Sequence, residues 1–197
     1  MPRGIRWILI VAALGGCAGT DTSDALSTVL REGEARLVRG DVVGARAAFM
    51  AATERDARCF VGWIGLSRSL AASGDVDGAE RALSRGLAVS PESADALDLS
   101  GRTALELAKV LPATRRKTLA LLAESLLDRA AAADAELPRL AYHRGLAAWW
   151  AGNYGAARAA FDDAAKQGFD ARVEEARRAM VAEISGLATR PSGGGSH

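Results

Sequence analysis

Four side chains carry the kinds of group that nucleophilic, general-base or metal-assisted catalysis needs: Cys17, Cys59, His143 and His197. An imidazole or thiolate does such work only with a partner at a suitable spacing. His143 has no cysteine or histidine at metal-ligand spacing, and His197 closes a Pro191-Ser192-Gly193-Gly194-Gly195-Ser196 stretch that reads as a flexible tail. The carboxylates are scattered as on helix surfaces, and no glycine-rich phosphate loop is present. Glycines 40, 44, 74, 78, 152 and 155 fall between helical stretches, where they serve turns. The reading is therefore of a chain that is not an enzyme and takes no cofactor and no metal. Cys59, beside Phe60 and Trp63 at a helix start, reads as a small buried hydrophobe.

Cys17 stands apart because of what precedes it. Arg3 and Arg6 form a basic start, Trp7 to Leu14 an apolar run, and Gly15-Gly16 a small-residue cleavage site. From Trp7 to Ala18 the segment is shorter than the roughly 20 apolar residues a membrane span needs, so an uncleaved membrane helix is the weaker reading. The stretch resembles a bacterial lipoprotein signal peptide with a Leu-Gly-Gly-Cys lipobox. That resemblance implies cleavage after Gly16, acylation of Cys17 on sulfur and on its new amino terminus, and attachment to a membrane. Ala18 in place of aspartate resembles an outer-membrane sorting signal. With Cys17 bearing lipid, Cys59 has no partner for an intramolecular disulfide. The expected organisation is a signal peptide over 1–16, a lipidated tether over 17–23, a folded domain over 24–188 and a tail over 189–197. The tether reaches about 20 Å at most, which keeps the domain close to the bilayer.

Those few groups must be carried by helices. Nearly half the residues are apolar (49%), a quarter are charged and only five are proline, which suits a folded helical domain. The net charge of +1 falls to −1 once Arg3 and Arg6 leave with the leader, and gives no footprint for nucleic acid. Residues 59–92 read as one helix-turn-helix unit. Counting from Phe60, Trp63, Leu66, Leu70 and Leu83 are bulky at positions 4, 7, 11 and 24, Ala79 and Gly86 are small at 20 and 27, and Pro91 falls at 32. This pattern resembles a tetratricopeptide (TPR) repeat. Stepping back 34 residues finds Gly40, Ala45 and Phe49 in the places of Gly74, Ala79 and Leu83; stepping on 78 finds Gly152, Ala157, Phe161 and Ala164. Because 78 exceeds two repeats by ten, the third unit carries ten extra residues.

The resemblance implies an all-α, right-handed TPR-like solenoid of four helix hairpins, the third elongated, with a C-terminal capping helix. The first helix is expected from about Ala25 to Arg39, with Thr22, Ser23 or Asp24 as its cap. Glu32 and Arg36 replace bulk at positions 7 and 11 there, as suits a terminal repeat facing water. In the third unit Pro112 ends one helix, Thr114 caps the next, and that helix runs to about Ala135; the ten residues are expected to lengthen both helices by about 7 Å each. Arg115-Arg116-Lys117 at that corner is a solvated helix start or, more sharply, a docking point for an acidic partner or lipid headgroups. The last helix, from Ala171 to about Leu187, presents Val173, Ala176, Ala179, Met180, Ile184 and Leu187 as one stripe.

In TPR arrays, first-helix positions 2, 5, 9, 12 and 13 line a concave groove. The resemblance thus implies a partner-binding wall of Leu30, Ile64, Tyr142, Leu146, Trp149 and Trp150, with Arg68 and Arg102 among it. Tyr142 at position 5 is the foremost anchor, and the arginines favour a partner bearing carboxylates. The lysine and asparagine that clamp a terminal carboxylate in chaperone-binding relatives are absent. Adjacent tryptophans point about 100° apart on a helix, so one of the pair is also a candidate to pack between repeats and the other under the last helix. The expected function is a membrane-anchored, periplasm-facing scaffold holding a protein or peptide of an envelope assembly such as secretion, pilus or cell-wall machinery. A purely structural lipoprotein with no groove ligand, and more distantly a hydrolase, are the alternatives. Labelling of cells with a fatty-acid analogue should mark the wild-type protein and leave Cys17→Ser unmarked; equal labelling of the two excludes acylation at Cys17.

Overall fold

The computed structural model describes residues 20–137, 139–168 and 170–188. The leader, Cys17 and the tail at 189–197 lie outside the described residues. Within them the chain is helical: α1 Thr20–Val38, α2 Val42–Arg55, α3 Phe60–Ala72, α4 Val76–Ala88, α5 Ala94–Lys109, α6 Ala113–Ala133, α7 Leu140–Ala151, α8 Tyr154–Lys166 and α9 Asp170–Ala188, with no strand among the described residues. Consecutive helices pair as antiparallel hairpins, and the second helix of each hairpin packs on the first helix of the next. First helices also touch one another, α1 on α3, α3 on α5, α5 on α7 and α7 on α9. The result is a TPR-like α-solenoid with an inner layer of first helices and an outer layer of second helices.

Each hairpin closes at one tight crossing. A Cβ built on Gly33 would lie 2.9 Å from the Phe49 ring, one on Gly101 2.7 Å from Leu127 Cγ, and one on Gly145 2.4 Å from the Phe161 ring. In the second hairpin the same place is held by Ser67, wholly buried, whose hydroxyl donates to the Ala79 carbonyl across the pair at 2.8 Å. Phe49 also reaches the next hairpin, where Gly65 leaves room for its ring. Ala45, Ala79, Ala123 and Ala157, and then Ala52, Gly86, Ala130 and Ala164, repeat as buried small residues along the second helices. Only helices that meet across small side chains can pack so closely.

The turns follow from Gly-Asp and Gly-Asn pairs. Gly40, Gly74 and Gly152 adopt positive φ, which a side chain resists. At the second turn Asp75 N–H donates to the Leu70 carbonyl and Gly74 N–H to that of Ala71, the paired bonds of a Schellman motif; Asn153 and Gly152 do the same with Ala148 and Trp149. The residue after each glycine then caps the following helix, with Asp41 accepting from Gly44 N–H, Asp75 from Gly78 N–H and Asn153 from Ala156 N–H.

Several boundaries differ from expectation. Helix α1 starts at Thr20, so the stretch expected as the end of the tether and its caps is helical; Asp24 instead offers its carbonyl to the Ser27 and Thr28 hydroxyls. Glu32 and Arg36 do stay open to water, as a terminal repeat requires, and pair with each other at 2.7 Å; Arg144, also at position 7, pairs with Asp128. The start of the fourth unit, Pro138, lies outside the described residues. Thr114 is no cap: α6 begins at Ala113 after Pro112, with no side-chain cap, and it ends at Ala133.

The added length of the third hairpin is unevenly shared. Past the crossing glycine or serine, α5 runs three residues further than α3, while α6 starts seven residues further ahead of Ala123 than α4 does ahead of Ala79. The extensions are about 4–5 Å and about 10 Å rather than equal. Arg115 ties this tip back to Asp77 and Glu80 of α4, and Arg116 donates to the Ala108 and Leu111 carbonyls that end α5. Two of the three residues read as a basic docking point are therefore engaged within the chain, Arg115 with the second hairpin and Arg116 with the third itself. On α9, Val173, Ala176 and Met180 are buried, but Ala179 and Ile184 are exposed, so the helix covers the array with only its first half.

Two glycine substitutions separate crossing from mere helix content. Gly145→Ala should destabilise by about 1–3 kcal/mol through overpacking against Phe161. Gly155→Ala in α8, where an added Cβ meets nothing within 4 Å, should be neutral or stabilising by up to about 1 kcal/mol. Urea melts followed by circular dichroism compare the two, and equal midpoints for both variants contradict this account of the hairpin.

Candidate functional site

The inner layer was expected to form one apolar groove, and the structure divides it. Position 5 falls inside the helix packing in the first two hairpins. Leu30 and Ile64 are buried there as core, with Ile64 filling the space that Gly86 leaves open. Leu146, at position 9, is buried as well. These three are corrected from groove wall to core, because each side chain is turned into the packing between helices.

The arginines are likewise committed within the chain. Arg68 Nη1 donates to both Glu34 carboxylate oxygens, at 2.9 and 3.1 Å, and Nε donates to Glu106 at 3.2 Å. The three residues sit on α1, α3 and α5, so one guanidinium links three successive hairpins along the inner layer. Burial pulls the Arg68 pKa down, but the two carboxylates outweigh it and hold it above its ordinary value. Arg102 Nε lies 2.9 Å from Asp98 one turn earlier on α5. Asp98 is almost wholly buried; burial raises its pKa against the pull of Arg102. The first three hairpins thus present a ladder of charge answered by charge, and Arg68 is corrected from partner contact to internal tie.

The fourth hairpin differs. Tyr142, Trp149 and Trp150 on α7 are only partly buried. The Tyr142 ring lies 6.2 Å from that of Phe161 and edge-on to His143 at 5.7 Å, and burial pushes its phenol pKa up. Trp149 donates its indole N–H to Glu183 of α9 at 3.0 Å, so it packs under the last helix. Trp150 lies against Trp149, ring centroids 6.3 Å apart, with no comparable tether among the described residues. Trp63, by contrast, is fixed by donating to the Ala57 carbonyl.

His143, next to Tyr142, is the residue whose setting the sequence left unread. Its Nδ1 is buried and makes no hydrogen bond. Desolvation, reinforced by the positive charges of Arg102, Arg139, Lys109 and Arg172, brings its pKa down from 6.5 to about 3. Helical spacing could flag position 6 as inward-facing, but cations brought in from α5 and α9 leave no mark in the local sequence. Arg139, at the start of α7, holds a left-handed backbone with φ 65°, the one positive φ outside glycine among the described residues. Cys59 is buried at the start of α3, as its neighbours implied. Among the described residues no group of three or more His, Cys, Asp or Glu converges as a metal site requires, and no helix is long and apolar enough to cross a membrane.

No protein-family model matches the chain, and no curated protein matches it. Among solved structures, the chain is similar to YrrB, described as a TPR protein with an unusual peptide-binding site, at 16% identity and a TM-score of 0.34 over 77% of this chain and 89% of that one.

The imidazole gives a pH signature. Above pH 6.5 His143 is neutral folded or unfolded; below it the unfolded chain binds a proton that the folded chain refuses until about pH 3. Its contribution is therefore present above pH 6.5 and lost as pH falls toward 3, with a slope of at most about 1.4 kcal/mol per pH unit. In urea titrations at a series of pH values, His143→Gln should show a shallower loss of stability over this window than the wild type. Parallel curves contradict the burial of a neutral imidazole.

Proposed function

We propose that the protein is an interaction scaffold, and that a segment of a partner protein lies against the inner layer at the fourth hairpin. The observation that carries this reading is the contrast along that layer. Arg68 and Arg102 on the inner helices are answered by Glu34, Glu106 and Asp98, whereas the fourth hairpin leaves the aromatic groups Tyr142 and Trp150 only partly buried. Aromatic side chains and arginine dominate the energetics of protein interfaces, and a stack of hairpins offers an extended surface rather than a closed cavity. Proteins that bind through such a surface need no reacting groups.

Attachment to the membrane belongs to the same proposal and rests on the sequence before Thr20. Basic start, apolar run and Leu14-Gly15-Gly16-Cys17 support a lipoprotein facing the periplasm, more readily from the outer than the inner membrane. A scaffold held there would keep its partner within a short reach of the bilayer, which suits a component of an envelope assembly.

Affinity capture from solubilised membranes, with the tagged wild-type protein against Trp150→Ala and Tyr142→Ala, tests the groove. Groove anchors should lose the co-purifying partner by an amount on the order of 2 kcal/mol while melting temperature changes little. If both variants capture normally and Tyr142→Ala melts far lower, the aromatics are core and the groove reading fails.

A further inference from the structure

The hairpins do not adjoin one another alike. Helix α2 lies along α3 and α6 along α7, whereas α4 approaches α5 over much less of its length; at this same junction the first helices, α3 and α5, touch more than other first helices do. The second and third hairpins are therefore joined at the inner layer and stand apart at the outer one. Phe49 of α2 couples the first two hairpins through the space at Gly65. At the matching place α5 carries Leu99, so α4 is offered no such socket. Beside α4 the surface opens into a cleft of about 570 Å³, lined by Asp77, Glu80, Arg81, Ser84 and Arg85.

What spans the outer side of this junction is charge. Arg115, near the tip of the long α6, reaches Asp77 at 2.8 Å and Glu80 at 2.6 Å, both on the wall of the cleft. Further along α6, Arg129 pairs with Glu92 in the link between α4 and α5. On the inner side, Arg68 of α3 holds Glu106 of α5 at 3.2 Å. The side chains of Arg115 and Arg129 are 45% and 49% exposed. Salt screens such pairs, whereas apolar packing does not depend on it in this way.

We propose that the link over residues 89–93 is a hinge: the array bends between its second and third hairpins about the α3–α5 contact, and Arg115 and Arg129 are straps that hold the outer side closed. In a stack of repeats each interface is made only by neighbours, so motion gathers at the one with the least packing. Releasing the straps lets α4 and α6 part and turns the first two hairpins relative to the aromatic surface of α7. The device is independent of what that surface binds.

Spin labels carried on p-acetylphenylalanine in place of Ala47 of α2 and Ser125 of α6, both exposed, measure the span across this junction by double electron–electron resonance in the full-length protein. A second pair, at Ser125 and the exposed Ala159 of α8, spans the third and fourth hairpins. Raising salt from about 0.05 M to about 1 M should lengthen the first distance by several ångström and leave the second as it is, a comparison that needs no substitution in the straps. Arg115→Gln/Arg129→Gln should show the longer first distance already at low salt, with unchanged circular dichroism as the control for folding. A first distance that is the same at both salts and in the double variant overturns the proposal. Equal lengthening of both distances overturns it too, because the array is then evenly elastic and has no hinge.

Discussion

Everything in this array depends on how closely the two helices of a hairpin can approach. The contact is a ring or branched side chain from the second helix, Phe49, Leu127 or Phe161, laid on a backbone with no Cβ at Gly33, Gly101 or Gly145. Interiors packed to crystal-like density do not absorb an added methyl group without shifting their neighbours. Once the crossing is fixed, the small residues that follow it on the second helix bring the next hairpin into register, and Phe49 shows the coupling directly by serving Gly33 and Gly65 together. Stability in such a chain is passed from neighbour to neighbour, without a single central core.

Much of this was legible because it is enforced locally. A glycine at positive φ followed by Asp or Asn both ends one helix and starts the next, so Gly40-Asp41, Gly74-Asp75 and Gly152-Asn153 marked the hairpins without any knowledge of tertiary contacts. The alternation of large and small residues located the crossings for the same reason. What stayed illegible is decided between helices far apart in sequence. Leu30 and Ile64 read as groove wall, and only the packing of neighbouring helices shows that they are core. Arg68 has its carboxylates 34 residues before it and 38 after it, and nothing in its immediate neighbourhood announces them. Burial of one face also follows the end of the stack: Ile184 continues the stripe of Val173 and Met180, yet it lies beyond the last surface available to cover it.

The inner layer also shows why composition is a poor guide to surface character. With Arg68 between Glu34 and Glu106, and Arg102 against Asp98, charged side chains across three hairpins are turned into internal structure. Such partly buried pairs gain less from attraction than their geometry suggests, since each ion gives up hydration. Their larger effect is on specificity, because a like-charged or uncharged segment finds no unanswered group there. The overall charge near zero gives no sign of this self-neutralised stretch.

The elongated third hairpin carries a consequence for how such a chain can grow. Its ten extra residues all lie beyond the Gly101–Leu127 crossing, between Gly101 and Ala123, and the buried small residues resume their spacing at Ala123 and Ala130. The hairpin behaves like one long tooth on a comb: its root fixes the spacing of its neighbours, and its tip meets the preceding hairpin through the exposed side chain of Arg115. Val110, exposed at that tip beside the turn, marks where loops, tags or whole domains could be grafted while the curvature of the remaining array is left as it is.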